Sequence, residues 1–224
     1  RAFRGGHTRL AIPTEAYFIE KGDSGAAAPA VKLDGPAGSL RVYFDVLDVC
    51  CGPSAPFTLA CRDLDLLAGP RIDKQRNSFW DILDDGFFSW LMQLVAAGRV
   101  LYLHVGPPCT TFSLARKPAL RSKRVPYGFD AKEPKTVEGN RLFLRCLTLL
   151  RLQFLAGHPG SLEHPATSLA RYLPPMLRAS GVWLDPVKLS MCQWGAPWRK
   201  DTHFHVVNAP FMSELGVCCA GGHD

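Results

Sequence analysis

The chain has 224 residues, 47% of them hydrophobic, and a formal net charge of +6. That length fits one domain with an appendage, and no apolar run is long enough to span a membrane. The positive balance permits a polyanionic partner, while eight cysteines without the spacing of a disulfide framework point to a reducing, intracellular compartment.

Residues 1–40 read as a basic arm and linker. Arg1, Arg4 and Arg9 have no acid among them, and Gly22 to Ser39 is rich in Gly, Ala and Pro, a composition that buries little apolar surface. The arm is either solvated or in contact with phosphates. No signal peptide is visible, and the chain opens on Arg1 rather than Met, which leaves targeting open. An ordered core is expected over 41–212 and a truncated tail over 213–224.

Within the core, Val42 to Val49 reads as a first strand leading into the small-residue loop Asp48 to Ala55. Pro56 suits the first turn of a helix running to about Leu67 and stopping at Gly69. Strand, small-residue loop and helix is how a Rossmann-like nucleotide site begins. Pro70 to Asp73 predicts a short second strand with Asp73 at its tip, either a turn aspartate or an acceptor for ribose hydroxyls. Asp81 reads as a helix N-cap or a surface acid. Phe87, Leu91, Leu94 and Val95 recur at helical spacing until Gly98, and these residues are core.

Val100 to Val105 reads as a strand buried on both faces, and Gly106-Pro107-Pro108 stops it because neither proline can donate to a ladder. Cys109 therefore stands on a stiff loop past the strand's carboxyl end, where ligands bind in open α/β sheets; the alternative is a buried structural cysteine. Arg116, Lys117, Arg121, Lys123 and Arg124 follow without an acid, as a solvated face or a phosphate-binding surface. A largely buried helix capped by Thr136 or Asn140 runs to about Gly157 and delivers the chain to Glu163, at the end of a strand. Val206 and Val207 lie in a closing strand, and Cys218, Cys219 and His223 are at most half of a zinc site.

Gly106-Pro107-Pro108-Cys109-Thr110-Thr111-Phe112-Ser113 resembles the nucleophile loop of the cytosine-5 DNA methyltransferases, Gly-Pro-Pro-Cys-Gln-x-Phe-Ser, with Thr110 in place of Gln. Three further blocks follow the family order. Asp48 to Ala55 resembles Asp-Leu-Phe-Ala-Gly-x-Gly-Gly, with Cys50 for Phe and Ser54-Ala55 for two glycines. Glu163-His164-Pro165 resembles Glu-Asn-Pro, with His164 for Asn. Gln193-Trp194-Gly195-Ala196-Pro197 resembles the turn before the closing strand, with Lys200 and Thr202 at the usual arginine positions.

The resemblance implies an α/β, Rossmann-like S-adenosylmethionine-dependent methyltransferase fold, a mostly parallel sheet with helices on both faces. It implies catalysis by Cys109, Glu163, Pro108 and Ser113, and a cofactor site of Asp48, Cys50, Gly52, Ser54, Asp73, Asp81, Ile82 and Pro107. Nucleic-acid contacts fall to Arg116, Lys117, Arg121, Lys123, Arg124 and Lys200, with the basic segment favouring the Cys109 thiolate. DNA is the expected partner, in the nucleus of a eukaryote or otherwise the cytoplasm. RNA is an alternative, as is an inactive cofactor- or DNA-binding module. The family's target-recognition region and final Asn-bearing segment are not visible, so a partner or further segment is expected to supply recognition.

Overall fold

Two apolar strands begin the sheet. β1 (Phe44–Val49) and β2 (Val100–Val105) run parallel, with Asp48 opposite His104 and Val49 opposite Val105. β3 (Gly160–Pro165) adds in parallel to β2. β5 (Asp201–Val207) pairs antiparallel with β3, and β4 (Asp185–Ser190) pairs antiparallel with β5. The order is β1-β2-β3-β5-β4, so β5 alone of the five opposes the common direction. The computed structural model describes residues 43–221; the basic arm with Arg1, Arg4 and Arg9, the linker to Ser39, Val42 and His223 lie outside them.

On the far side of β1, Ala68 bridges Val46 and Ile72 bridges Val49, both in parallel. The expected second strand is reduced to these isolated bridges. Pro70 has no N–H to offer a ladder, and the Gly69 N–H already donates to the Val46 carbonyl at 2.8 Å.

Strand alternation sorts the helices onto two faces. α1 (Pro56–Asp63) sets Cys61 against Val46 and Ala68 on one face. It stops four residues before the expected Leu67, because Asp65 takes a left-handed φ of 58° and turns the chain back towards β1. α2 (Asp85–Ala96) covers the other face and buries Phe87, Leu91, Leu94 and Val95, as their spacing predicts. Its N-cap is Asp84, which accepts from the Phe87 N–H at 2.7 Å. α3 (Pro134–Leu155) lies beside α2 and begins before both expected caps: Pro134 occupies its first turn, and the Glu133 carboxylate accepts from the Thr136 N–H. The buried Gln153 donates to the Val100 and Pro159 carbonyls, each at 2.9 Å, tying α3 to the start of β2 and the approach to β3.

α4 (Pro174–Ala179) and β4 are elements the sequence reading did not place. β4 does alternate, with Val187 and Leu189 inward and Pro186 and Lys188 exposed, but Pro186 masks the pattern. A short 3-10 stretch, Pro210–Leu215, crosses the expected boundary at residue 212 and packs Met212 with Val187 and Val206. Beyond it the Val217 carbonyl accepts from the Ser190 N–H at 2.9 Å, so the described part of the tail is fastened to β4. No helix among the described residues is long and apolar enough to cross a membrane.

Candidate active site

The chain leaves β1, lays 68–72 along one side of it, and returns through α2 to place β2 on the other side. Such a switch opens a crevice at the strands' carboxyl ends. The loop Cys50 to Ala55 lines it from β1, and the loop Gly106 to Ser113 lines it from β2. The two backbones touch, with the Gly106 N–H donating to the Val49 carbonyl at 3.0 Å.

The first loop bends through left-handed residues at Cys50 (φ 59°), Gly52 (φ 70°) and Ala55 (φ 46°). Only glycine adopts this region freely, so Cys50 and Ala55 hold the backbone there at a cost of about 1 kcal/mol each. A Cβ on Gly52 would meet nothing within 4 Å, so the loop faces open space at this point. Asp48, 3% exposed, accepts from Thr58 Oγ1 at 2.9 Å through one oxygen while the other has no partner. Burial pushes its carboxyl up to about 6. Cys50 Sγ lies 4.0 Å from Cys146 Sγ, and the hydrogen bond between them and burial push the Cys50 thiol well up. Cys51 is driven to about 12, chiefly by burial. Neither thiol is a nucleophile in this state.

Asp73 is buried, and both carboxylate oxygens accept backbone N–H groups, Gly52 at 3.0 Å and Gln75 at 2.8 Å. It is thus a turn residue that also fastens the first loop, with second lone pairs left for a ligand. Asp81 accepts from the Leu83 N–H at 2.8 Å, and Ile82 is 2% exposed within the main core. Ser54 is exposed. Beneath the crevice, Ser161 Oγ bonds both Tyr102 Oη and His104 Nδ1 at 2.9 Å. Burial lowers His104 to about 4, so it is neutral at physiological pH.

In the second loop Pro107 is buried, Pro108 is exposed, and half-buried Cys109 opens the 3-10 turn Thr110–Phe112. Ser113 follows, its Oγ accepting from the Ala115 N–H at 3.2 Å. The expected phosphate contact Arg121 is instead a buried strut, 3% exposed. Its guanidinium donates to Asn140 Oδ1 at 2.7 Å, the Pro126 carbonyl at 2.9 Å and Thr111 Oγ1 at 3.1 Å, and stacks 3.8 Å over the Phe112 ring. A charge run shows composition alone; three acceptors and an aromatic face turn this member inward. Gly139 on α3 completes the fit, because a Cβ there would collide with Thr111 Oγ1. Thr111, Asn140 and Gly139 are supporting residues the sequence reading missed.

Glu163 arrives from the tip of β3, where Lys200 Nζ donates to its Oε1 at 3.1 Å. Both charges act on Cys109. Burial and Glu163 raise its thiol, and Lys200 partly offsets them. The expected activation by the basic segment is therefore absent: the nearby cation is Lys200, and the resting thiol is protonated at neutral pH. Lys200, expected on phosphate, is engaged by Glu163 in this state. Of the basic segment, Lys117, Lys123 and Arg124 are exposed and Arg116 is half-buried, and Lys123 lies 5.6 Å over the Tyr172 ring.

Cys218 is exposed and Cys219 half-buried on the tail, its N–H donating to Ser190 Oγ at 2.9 Å. Among the described residues, no group of three or more His, Cys, Asp or Glu is arranged to hold a metal ion. Compared with known protein families and with curated protein sequences, the chain matches none.

Proposed function

We propose that this chain transfers a methyl group from S-adenosylmethionine to carbon 5 of cytosine in DNA through a covalent Cys109 adduct. The observation that carries the reading is the meeting of Cys109, Glu163 and Lys200 at the carboxyl ends of β2 and β3, beside the small-residue loop of β1.

The loop after β1 fits the cofactor. Asp48 keeps a buried oxygen without a partner, an acceptor suited to an ammonium group, and Gly52 leaves space for a ligand against the backbone. Asp73 would add ribose hydroxyls to its backbone bonds, and Asp81 would accept from the adenine amine. When bound, S-adenosylmethionine supplies the electrophilic methyl group.

The residues do the rest. Carbon 5 of cytosine is a poor nucleophile until a thiolate adds at carbon 6. Cys109 passes its proton to the Glu163 carboxylate as it forms that bond, and Glu163 delivers the proton to ring nitrogen 3, which offsets the developing charge. The enamine so formed is nucleophilic at carbon 5. After methylation, carbon 5 loses its proton to a base, Glu163 recovers the ring proton, and the carbon–sulfur bond breaks to restore Cys109. Lys200 holds Glu163 in place before the base enters. The base must leave the stack to reach this crevice, and Arg116, Lys117, Lys123 and Arg124 would grip the phosphates around it.

The test is trapping on DNA bearing 5-fluorocytosine, because fluorine blocks the final proton loss. With S-adenosylmethionine present, the parent should form an adduct that survives denaturation. Cys109→Ser should abolish it, and Glu163→Gln should slow it strongly. An undiminished adduct in Cys109→Ser, or one mapped to Cys51, overturns the assignment. Matched RNA carries the rival substrate through the same assay. The raised Cys109 thiol favours a second reading, a binding module without chemistry, which binds cofactor and forms no adduct.

A further inference from the structure

The sheet face opposite Glu163 carries a second polar group. Alternation puts His164, His203 and His205 together on the face that α4 covers, while Glu163 and Phe204 occupy the other. The His164 and His205 rings stack at 4.9 Å, and His203 lies 5.9 Å from each. His205 is 5% exposed, and neither of its ring nitrogens has a partner. His164 is 1% exposed; its Nδ1 bonds the Pro165 carbonyl and its Nε2 has no partner. Buried polar atoms are costly to leave unmatched, so three on one face call for a bonding partner.

A cleft of about 400 Å³ opens against the His203 and His205 rings, between β4, β5, α4 and the 3-10 turn Leu169–Tyr172. Tyr172, Met176, Leu177 and Pro186 give it apolar walls, and Arg171, His203 and His205 give it polar ones. The charges around it are mostly positive. Arg171 donates to the Ala166 carbonyl and to Tyr172 Oη, and its buried Nε has no partner. Lys188 stands opposite His203 across the β4–β5 ladder, and Lys123 lies 5.6 Å over the Tyr172 ring. The acid acting on His203 is Asp201, which is already held by Arg199 and Ser190. From α4 and its C-cap come only neutral lining residues, Met176, Leu177 and Ser180.

We propose that this cleft binds a small organic oxyanion, a carboxylate or phosphate carried on an aromatic or apolar body. Arg171 supplies the charge, the apolar walls take the body, and the His203 and His205 rings become donors to the oxyanion. In the free protein, burial first, then the neighbouring rings on His203 and His205 and Arg171 on His164 and His203, hold these imidazoles neutral, with His205 lowered to about 3. An anion reverses that balance, so binding takes up a proton and tightens as pH falls. The site uses none of Cys109, Glu163 and Lys200.

Benzoate and phenyl phosphate are the probes, added separately to the whole chain and followed by calorimetry and by imidazole NMR. Benzoate stays ionised between pH 8 and pH 6, so its pH dependence reports the protein, and its affinity should rise by up to about tenfold per unit. The His203 and His205 ring signals should move with at least one probe; the stronger of the two says whether the natural oxyanion is carboxylate or phosphate. Arg171→Met and His205→Phe should each weaken binding at least tenfold, while Glu163→Gln leaves it unchanged. Unmoved ring signals at millimolar levels of both probes overturn the proposal. So does benzoate binding that survives both substitutions or that is independent of pH.

Discussion

The two loops that face each other across the crevice are built on opposite principles. The loop after β1 stores unfavourable terms: two non-glycine residues in left-handed backbone, a buried carboxyl with an unmatched oxygen, and thiols held protonated. The loop after β2 is over-determined, with prolines at its start, Gly139 admitting Thr111, and Arg121 bonded to three acceptors above Phe112. Unmatched buried groups belong where a ligand completes them, and rigidity belongs where a nucleophile must be held in place. Under the proposed function, the first would be the cofactor loop and the second the catalytic one.

Removing the strut should break the rigid half. Arg121→Ala leaves Thr111, the Pro126 carbonyl and Asn140 without their donor and should cost about 4 kcal/mol, read by urea denaturation. A loss below about 1 kcal/mol would mean the loop holds itself.

The strained half should respond in the opposite direction. Asp48 is raised from 3.8 to about 6, so its contribution is full below pH 4 and is lost as pH rises through 6. Asp48→Asn keeps an acceptor for Thr58 and cannot charge. It should stabilise the free protein by about 3 kcal/mol at pH 7 and change little at pH 4. The same substitution should weaken S-adenosylmethionine binding. Stabilisation without that weakening would leave the buried acid with no ligand role.

A smaller effect separates the two charges beside Cys109. Glu163 raises the thiol and Lys200 opposes it. At pH 7, Glu163→Gln should speed alkylation of Cys109 by iodoacetamide several-fold, and Lys200→Met should slow it. Equal rates in both would put the controlling charge in the basic segment after all. The smallest effect lies on that segment: replacing Lys117 and Arg124 should reduce the salt slope of DNA binding by about 2, and replacing the buried Arg121 should add nothing in proportion to charge.

The crevice was legible in sequence as far as local chemistry reaches. Prolines after an apolar strand place Cys109, a strand end places Glu163, and helical spacing gives the inner face of α2. What was hidden depends on partners distant in the chain. Arg121 reads as one more cation until Asn140 and Phe112 are beside it. Lys200 reads as a phosphate contact until β5 pairs with β3 and brings it to Glu163. α1 is shorter than its sequence implies because a left-handed Asp65 leaves no mark in hydrophobic spacing.

The most direct measurement is of the product itself. DNA incubated with the chain and methyl-labelled S-adenosylmethionine should yield, on hydrolysis and mass spectrometry, 5-methylcytosine carrying the label, and Cys109→Ser should yield none. Label on another atom, or undiminished label at carbon 5 with Cys109→Ser, would contradict the account.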